Sequence, residues 1–300
     1  MLTLALVSMK ARIGAWSTAV LLFFAWGFVM HGAGLLLHEF GGHALSAQIL
    51  ACGIEGYDLT FFGHGQVHYR DCTTWTQTRV IITSWAGLII TTAAGLGAAL
   101  LLRRRDLSPM ARLLVALVAF FFLLGQLGYM TTGGFHDLYD PARTAKMLGR
   151  KGLHFLAWVP PLIAYCVSAL YCARAAVDAF RDHFGSRSRL HTIVQLVTTL
   201  GIAGVLYWIA FKIEWTLRTD VTMKGVAVEA KRRAVVSNAP PPFPIEHVIT
   251  GIALVAVIWA LARPVRPTED RQARPFDRRL VGIVAATTGV VLVAMIALIR

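Results

Sequence analysis

Long apolar runs separated by short polar segments dominate the hydropathy pattern of this chain. A helix that crosses the hydrocarbon core of a bilayer needs ~20 mainly apolar residues. Seven runs reach about that length, and they cover roughly residues 14–37, 80–102, 111–132, 153–173, 192–212, 246–262 and 280–299. The pattern therefore predicts an all-α polytopic membrane protein with about seven transmembrane helices.

The polar segments between these runs carry the charges and helix breakers that end transmembrane helices. Three consecutive arginines, residues 103–105, follow the second run, and the longest polar stretch, residues 213–245, closes with a proline cluster. The segment 53–70 is different, because glycines punctuate short stretches of strand-forming residues there. It predicts a small β-hairpin directly after the first helix.

The composition agrees with a membrane protein. Of 300 residues, 56% are hydrophobic and 15% are charged, whereas soluble domains carry ~25% charged residues. The net charge is +13, but the basic residues form short clusters between apolar runs, where they contact anionic lipid. No basic stripe with interleaved aromatic residues occurs, so the lipid bilayer is an expected partner and nucleic acid is not.

Charges and cysteines both bear on the orientation in the membrane. If seven helices alternate, the N-terminus and the second, fourth and sixth connections share one side and carry 16 of the 29 Lys and Arg residues. These connections are also shorter, and a small margin therefore favours a cytoplasmic N-terminus. Cys52 and Cys72 share the polar segment after the first run, and they would pair if that segment faces an oxidising compartment.

The first apolar run leads directly into the sequence His38-Glu39-Phe40-Gly41-Gly42-His43. Zinc proteases with an H-E-x-x-H motif place two histidines four residues apart on one helical face and use the glutamate as general base. Here the histidines are five residues apart. At ~100° per residue their rings would project ~140° apart on a regular helix, which cannot chelate one ion.

Two arrangements would reconcile this spacing with a metal site. A π-bulge is common at functional sites and would absorb the extra residue, and Gly41-Gly42 is where the backbone distorts at the lowest cost. Alternatively, Glu39 and His43 bind the metal together and His38 does not. We favour the bulge, which has a parallel in the H-E-x-x-x-H helix of the dipeptidyl peptidase III family. In a third interpretation these polar groups end the helix without any metal.

With these residues in view, the chain resembles the site-2 protease family of intramembrane zinc metalloproteases over about residues 15–150. The helix that runs into the histidine motif is similar to the first core helix of that family, and the segment 53–70 is similar to its membrane re-entrant hairpin. Trp85-Ala86-Gly87-Leu88 resembles the A-G-P motif that opens the second core helix, with leucine in place of proline. Gln126 stands where the family often has an asparagine, and Asp140-Pro141 opens a helix as the aspartate ligand of the family does.

The resemblance implies a catalytic zinc with three protein ligands and a fourth position for water. Three residues are predicted to bind this Zn²⁺: His38, His43 and Asp140. Glu39 is the predicted general base. Asp140 fits equally well as the N-cap of a helix that has proline at its first position, and Asp137 and His136 are the alternatives for the third ligand.

The implied activity is that of a zinc metalloendopeptidase that hydrolyses peptide bonds of membrane-protein substrates, with Glu39 as the base for a zinc-activated water. The implied location is a bacterial inner or plasma membrane. The alternative is a non-proteolytic metal-binding or inactive homologue that acts as a membrane scaffold and binds a partner. The extra residue in the motif, Leu88 and the absence of an N-x-x-P-x-x-D-G string favour that alternative.

The expected organisation has two parts. Residues 1–150 form a metalloprotease-like membrane core of helices 1–3 and the hairpin 53–70, and residues 151–300 add a four-helix region with the polar loop 213–245. The family places its zinc nearer the cytoplasmic leaflet, whereas the charge distribution places His38 on the opposite side, so orientation, substrate and oligomeric state stay open. A di-iron oxidase would need several histidine boxes, and only His64 and His68 form one.

Overall fold

The predicted all-helical membrane architecture is confirmed. The computed structural model describes residues 2–62, 65–70, 72, 75–104, 106–185, 188–217, 245–264 and 277–298. Within these ranges, seven helices are long and apolar enough to cross a membrane. One small antiparallel hairpin follows the first helix. The chain is thus a multi-pass membrane protein.

We number the helices of the described ranges α1 to α8. Helix α1 covers residues 2–49 and contains a π-helical segment, Leu37–Ala44, between the α-helical parts Leu2–Leu36 and Leu45–Ile49. Strands β1 (Gly53–Leu59) and β2 (Gly65–Arg70) follow, and then α2 (Gln77–Leu101). Helix α3 covers residues 109–136, with a π-helical stretch at Phe120–Leu124, and α4 is the short helix Ala142–Gly149.

The described part of the second half of the chain contains four long helices. Helix α5 is Val159–Phe184, preceded by a 3₁₀ turn at His154–Ala157. Helix α6 covers residues 189–217 and includes a π-helical stretch at Val197–Gly201. Helices α7 and α8 are Ile245–Ala262 and Arg278–Leu298. Hydroxyl N-caps set three of the starts: Thr76 for α2, Ser108 for α3 and Ser188 for α6.

Helix α1 packs against partners from both halves of the chain. Phe28 and Val29 of α1 contact Val291 and Met295 of α8, the π-helical segment packs on α2, and other turns of α1 contact α6. A second apolar cluster joins α2, α3, α5 and α7. Many large apolar side chains outside these clusters are exposed, Val290 at 69% for example, as expected for surfaces that face hydrocarbon rather than water.

The hairpin folds back along α1. Its strands pair from Gly53 opposite Arg70 to Leu59 opposite Gly65, with a bulge between Ile54 and Gly56. Partway along β1, Tyr57 stacks on Phe40 of α1 with ring centroids 4.1 Å apart. At its tip, Phe62 contacts Phe28, three helical turns earlier on α1. The tip therefore lies beside the apolar part of α1, and a disulfide between Cys52 and Cys72 closes the base.

We expect Cys52 and Cys72 of the purified, denatured protein to resist alkylation until a reductant is added, because they are joined to each other. Cys166 and Cys172 are free thiols and serve as the internal control. Mass spectrometry after alkylation with and without reductant measures the difference. Equal modification of all four cysteines without reductant would contradict the pairing.

Candidate metal centre

The histidine motif lies entirely within the π-helical segment of α1. A π turn bonds each N–H to the carbonyl five residues earlier, so residues five apart come to lie on one face. His38 and His43 accordingly face each other, with ring centroids 4.7 Å apart and Nε2 atoms 3.1 Å apart. The predicted bulge at Gly41-Gly42 is confirmed, and it brings together the two histidines rather than Glu39 and His43.

Asp140 supplies a third candidate ligand atom from the connection between α3 and α4. Its Oδ2 lies 3.2 Å from Nε2 of His38 and 3.4 Å from Nε2 of His43. In a tetrahedral zinc site with bonds of about 2.0–2.1 Å, neighbouring ligand atoms are separated by roughly 3.3 Å. The three atoms are therefore spaced as they would be around one zinc ion.

The alternative role of Asp140 as a helix cap is wrong. Helix α4 begins at Ala142 with Pro141 as its N-cap residue, and no side chain caps it. The Asp140 carboxylate points instead to the two histidines, whose Nε2 atoms lie 3.2 and 3.4 Å from its Oδ2.

The outer nitrogens of both imidazoles are already engaged. Nδ1 of His43 donates to the carbonyl oxygen of Thr83 at 2.7 Å. Nδ1 of His38 lies 3.5 Å from the hydroxyl of Thr91, which itself donates to the carbonyl oxygen of Gly87. Histidines that bind metals commonly donate their other ring N–H in this way. The arrangement directs both Nε2 lone pairs toward the Asp140 carboxylate.

Three acceptor atoms that converge in a buried place need a cation between them. The simplest cation is a proton on one imidazole. In that state burial opposes ionisation of Asp140, but hydrogen bonds and charge interactions with His38 and His43 outweigh it and hold the pKa of the carboxyl well below its usual range. A divalent metal would replace the proton and bind all three atoms at once. The donor set thus fits zinc.

Helix α2 approaches the histidines so closely that only glycine fits at the crossing. A Cβ atom on Gly42 would overlap the Cα of Gly87. A Cβ atom on Gly87 would lie 2.9 Å from the Nε2 atoms of both His38 and His43. The glycine of the A-G-P-like motif therefore forms one wall of the site. The expectation that this motif opens its helix is wrong, because α2 begins at Gln77, and Leu88 does not interrupt the helix as a proline would.

Glu39 lies between the histidine pair and the hairpin. Its side chain is buried, with 5% of the residue exposed. A Cβ atom on Gly65, the first residue of β2, would lie 2.8 Å from Cγ of Glu39. The predicted general base thus contacts the strand that follows the hairpin tip.

The runner-up ligands have other partners. Oδ1 of Asp137 lies 3.0 Å from Nε2 of His154. Nε2 of His136 lies 3.2 Å from Oε1 of Glu246 on α7. Among the residues that the structure describes, the only group with metal-binding spacing is His38, His43 and Asp140. In the hairpin, His68 pairs with Asp58 at 2.7 Å, and His64 is outside the described residues.

Tyr129 is a residue of the site that the sequence analysis missed. Its hydroxyl donates to Oδ2 of Asp140 at 3.3 Å, and its ring meets that of His38 edge to face. Gln126, expected near the site, lies almost one helical turn earlier, and its buried Oε1 has no hydrogen-bond partner among the described residues. The sequence did contain one signal for Tyr129, since it is a second polar side chain about one helical turn after Gln126 in an apolar run.

Comparison of the chain with known protein families, with curated proteins and with solved structures finds no match. The structure defines the class as a multi-pass α-helical membrane protein with a small antiparallel hairpin after the first helix. Any more specific assignment depends on the chemistry of the three converging side chains.

We expect Gly87→Ala to weaken zinc binding at least ~10-fold, because the new methyl group would displace the histidine rings, and perturbing the surroundings of metal ligands typically costs 10–100-fold. Gly97→Ala is the matched control, since it lies on the same helix with no atom within 4 Å of an added Cβ. Both changes raise helix propensity equally. Competition with a chelator measures the affinity, and equal affinities of the two variants would contradict this account of the site.

Proposed function

We propose that the protein is an intramembrane zinc metalloprotease of the site-2 type. The observation that carries the proposal is the convergence of His38 Nε2, His43 Nε2 and Asp140 Oδ2 at mutual distances of 3.1–3.4 Å. The two histidines are buried and Asp140 is partly buried, and ionisable groups away from water are costly unless they serve a purpose.

The chain provides a defined role for each residue. His38, His43 and Asp140 would hold the ion, which when bound polarises the scissile carbonyl and lowers the pKa of a bound water to ~7. Glu39 would accept the proton of the attacking water and pass it to the leaving amine. Thr83 and Thr91 would orient the imidazoles through their Nδ1 atoms.

The hairpin supports a proteolytic role. A peptide bond is accessible to this chemistry only in an extended segment, and a sheet of two strands leaves an outer edge on each strand for pairing with such a segment. Because β2 begins at Gly65 in contact with Glu39, a substrate strand added to the hairpin would run close to the general base. The proposed substrates are therefore segments of membrane proteins or peptides.

The disulfide supports an orientation. Disulfides persist in oxidising compartments, so the Cys52–Cys72 pair supports an orientation with the neighbouring site on the non-cytoplasmic side. The distribution of Lys and Arg favours the same orientation, with the N-terminus in the cytoplasm. We propose a bacterial inner or plasma membrane as the location.

The purified protein should hold about one zinc per chain, which elemental analysis would measure. Asp140→Asn should lower the affinity at least ~10-fold, because the neutral amide is a poorer ligand than a carboxylate. Asp106→Asn is the control, since this exposed carboxylate pairs only with Arg104 among described contacts. A folded wild-type protein that binds no zinc would end the protease proposal.

Glu39→Gln should keep zinc and lose proteolysis, because glutamine preserves size and polarity but cannot act as a base. A general base contributes ~10²–10⁴-fold, and cleavage of a co-expressed transmembrane substrate would measure the loss. His43→Ala should lose both metal and activity. If wild type and Glu39→Gln processed a verified substrate equally, another enzyme would be responsible, and the chain would be a membrane scaffold.

A further inference from the structure

We propose that Glu214 of α6 is a positioning residue that fixes the tip of the hairpin and thereby the strand beside Glu39. The proposal deepens the proposed proteolytic function and rests on it for its catalytic consequence. Its structural part, the anchoring of the tip, can be measured without any activity.

The two carboxylate oxygens of Glu214 are each used by the hairpin. Oε1 accepts the backbone N–H of Phe61 at 2.6 Å, and Oε2 accepts that of Phe62 at 2.7 Å. The partners are 152 and 153 residues apart in sequence. Hydrogen bonds to a charged acceptor are about twice as strong as neutral ones. Both oxygens of the carboxylate therefore bind the hairpin tip strongly.

The two amides need such an acceptor because of where they lie. Phe61 and Phe62 follow the last paired residue of β1, Leu59, and precede the first of β2, so the ladder offers them no cross-strand carbonyl. The Phe62 ring contacts Phe28 in the apolar part of α1, where water does not replace a missing partner. A carboxylate without a partner beside these aromatic side chains would be costly as well, and the contact satisfies both groups.

Helix α6 holds the tip at a second point. Tyr207 lies seven residues before Glu214, which places both on the same face of the helix. Its ring is 5.1 Å from that of Phe62, which also packs against Phe24 and Phe28 of α1. The tip therefore sits between α1 and α6, with the phenylalanine ring held by apolar contacts and the backbone held by the carboxylate.

The anchored tip is directly connected to the candidate site. Gly65, three positions after Phe62 in the sequence, contacts Glu39. The other end of the hairpin is closed by the Cys52–Cys72 disulfide. With both ends fixed, the start of β2 has a defined position against Glu39, whereas loss of the carboxylate would release the end nearest to it. An α6 residue thus positions the strand along which substrate would be laid.

A graded series at position 214 tests the anchor. Glu214→Gln keeps one acceptor oxygen and Glu214→Ala keeps none, so hydrogen exchange of the Phe61 and Phe62 amides should accelerate modestly in the first and about 10–100-fold in the second. Glu246→Gln is the matched control, a glutamate at the start of α7 that contacts His136 and not the hairpin. Exchange at wild-type rates in both Glu214 variants would overturn the proposal.

The catalytic consequence is tested on the same variants. Zinc content should stay at the wild-type level, while kcat/KM for a transmembrane substrate falls at least ~10-fold in Glu214→Ala and less in Glu214→Gln, because misplacement of a positioned strand weakens catalysis without removing chemistry. Faster exchange with unchanged cleavage by an active enzyme would refute the positioning role. If the wild type itself cleaved nothing, the exchange result would still decide the anchor, and only the proposed function would fail.

Discussion

The close crossing of α1 and α2 at Gly42 and Gly87 is the contact on which the candidate site depends. The π-helical segment widens α1 locally and turns His38 and His43 toward α2. Helix α2 then contributes the carbonyl oxygen of Thr83 and the hydroxyl of Thr91 as hydrogen-bond partners. At Gly87 it has no side chain, which leaves room for both imidazole rings. The π-helical segment orients the two imidazoles, and the neighbouring helix fixes their tautomers, so both helices are needed to form the pair.

The same rule explains the polar contacts farther from the site. In an apolar layer each donor and acceptor has to find a partner within the protein. The bulged turn at His38, the tip amides at Phe61 and Phe62, and the carboxylate of Glu214 are all irregularities that would be costly alone. They lie next to one another along α1, and each satisfies or adjoins another, so these three irregular features share the region between α1, α2, α6 and the hairpin.

The sequence predicted most of the fold because the bilayer dictates helix length, and apolar runs report that length directly. It also predicted the distortion at Gly41-Gly42, since the five-residue spacing of the histidines has few other solutions. It missed Tyr129 and Glu214 for one reason: their partners, Asp140 and the hairpin tip, are brought to them by tertiary packing rather than by spacing along the chain. The interpretation of Asp140 as a helix cap was wrong for the same reason, because its carboxylate contacts two imidazoles that are distant in sequence instead of a nearby backbone N–H.

The departures from the site-2 protease pattern carry less weight against catalysis once the packing is considered. The extra residue in the motif is absorbed by the π-helical segment. Leu88, in the place of proline, is fully buried in the cluster shared by α2, α3, α5 and α7, so it serves the packing of a continuous helix. Beside Asp140, where the family string is absent, Tyr129 provides a hydroxyl. The packing thus accommodates these departures while the three candidate ligand atoms still converge.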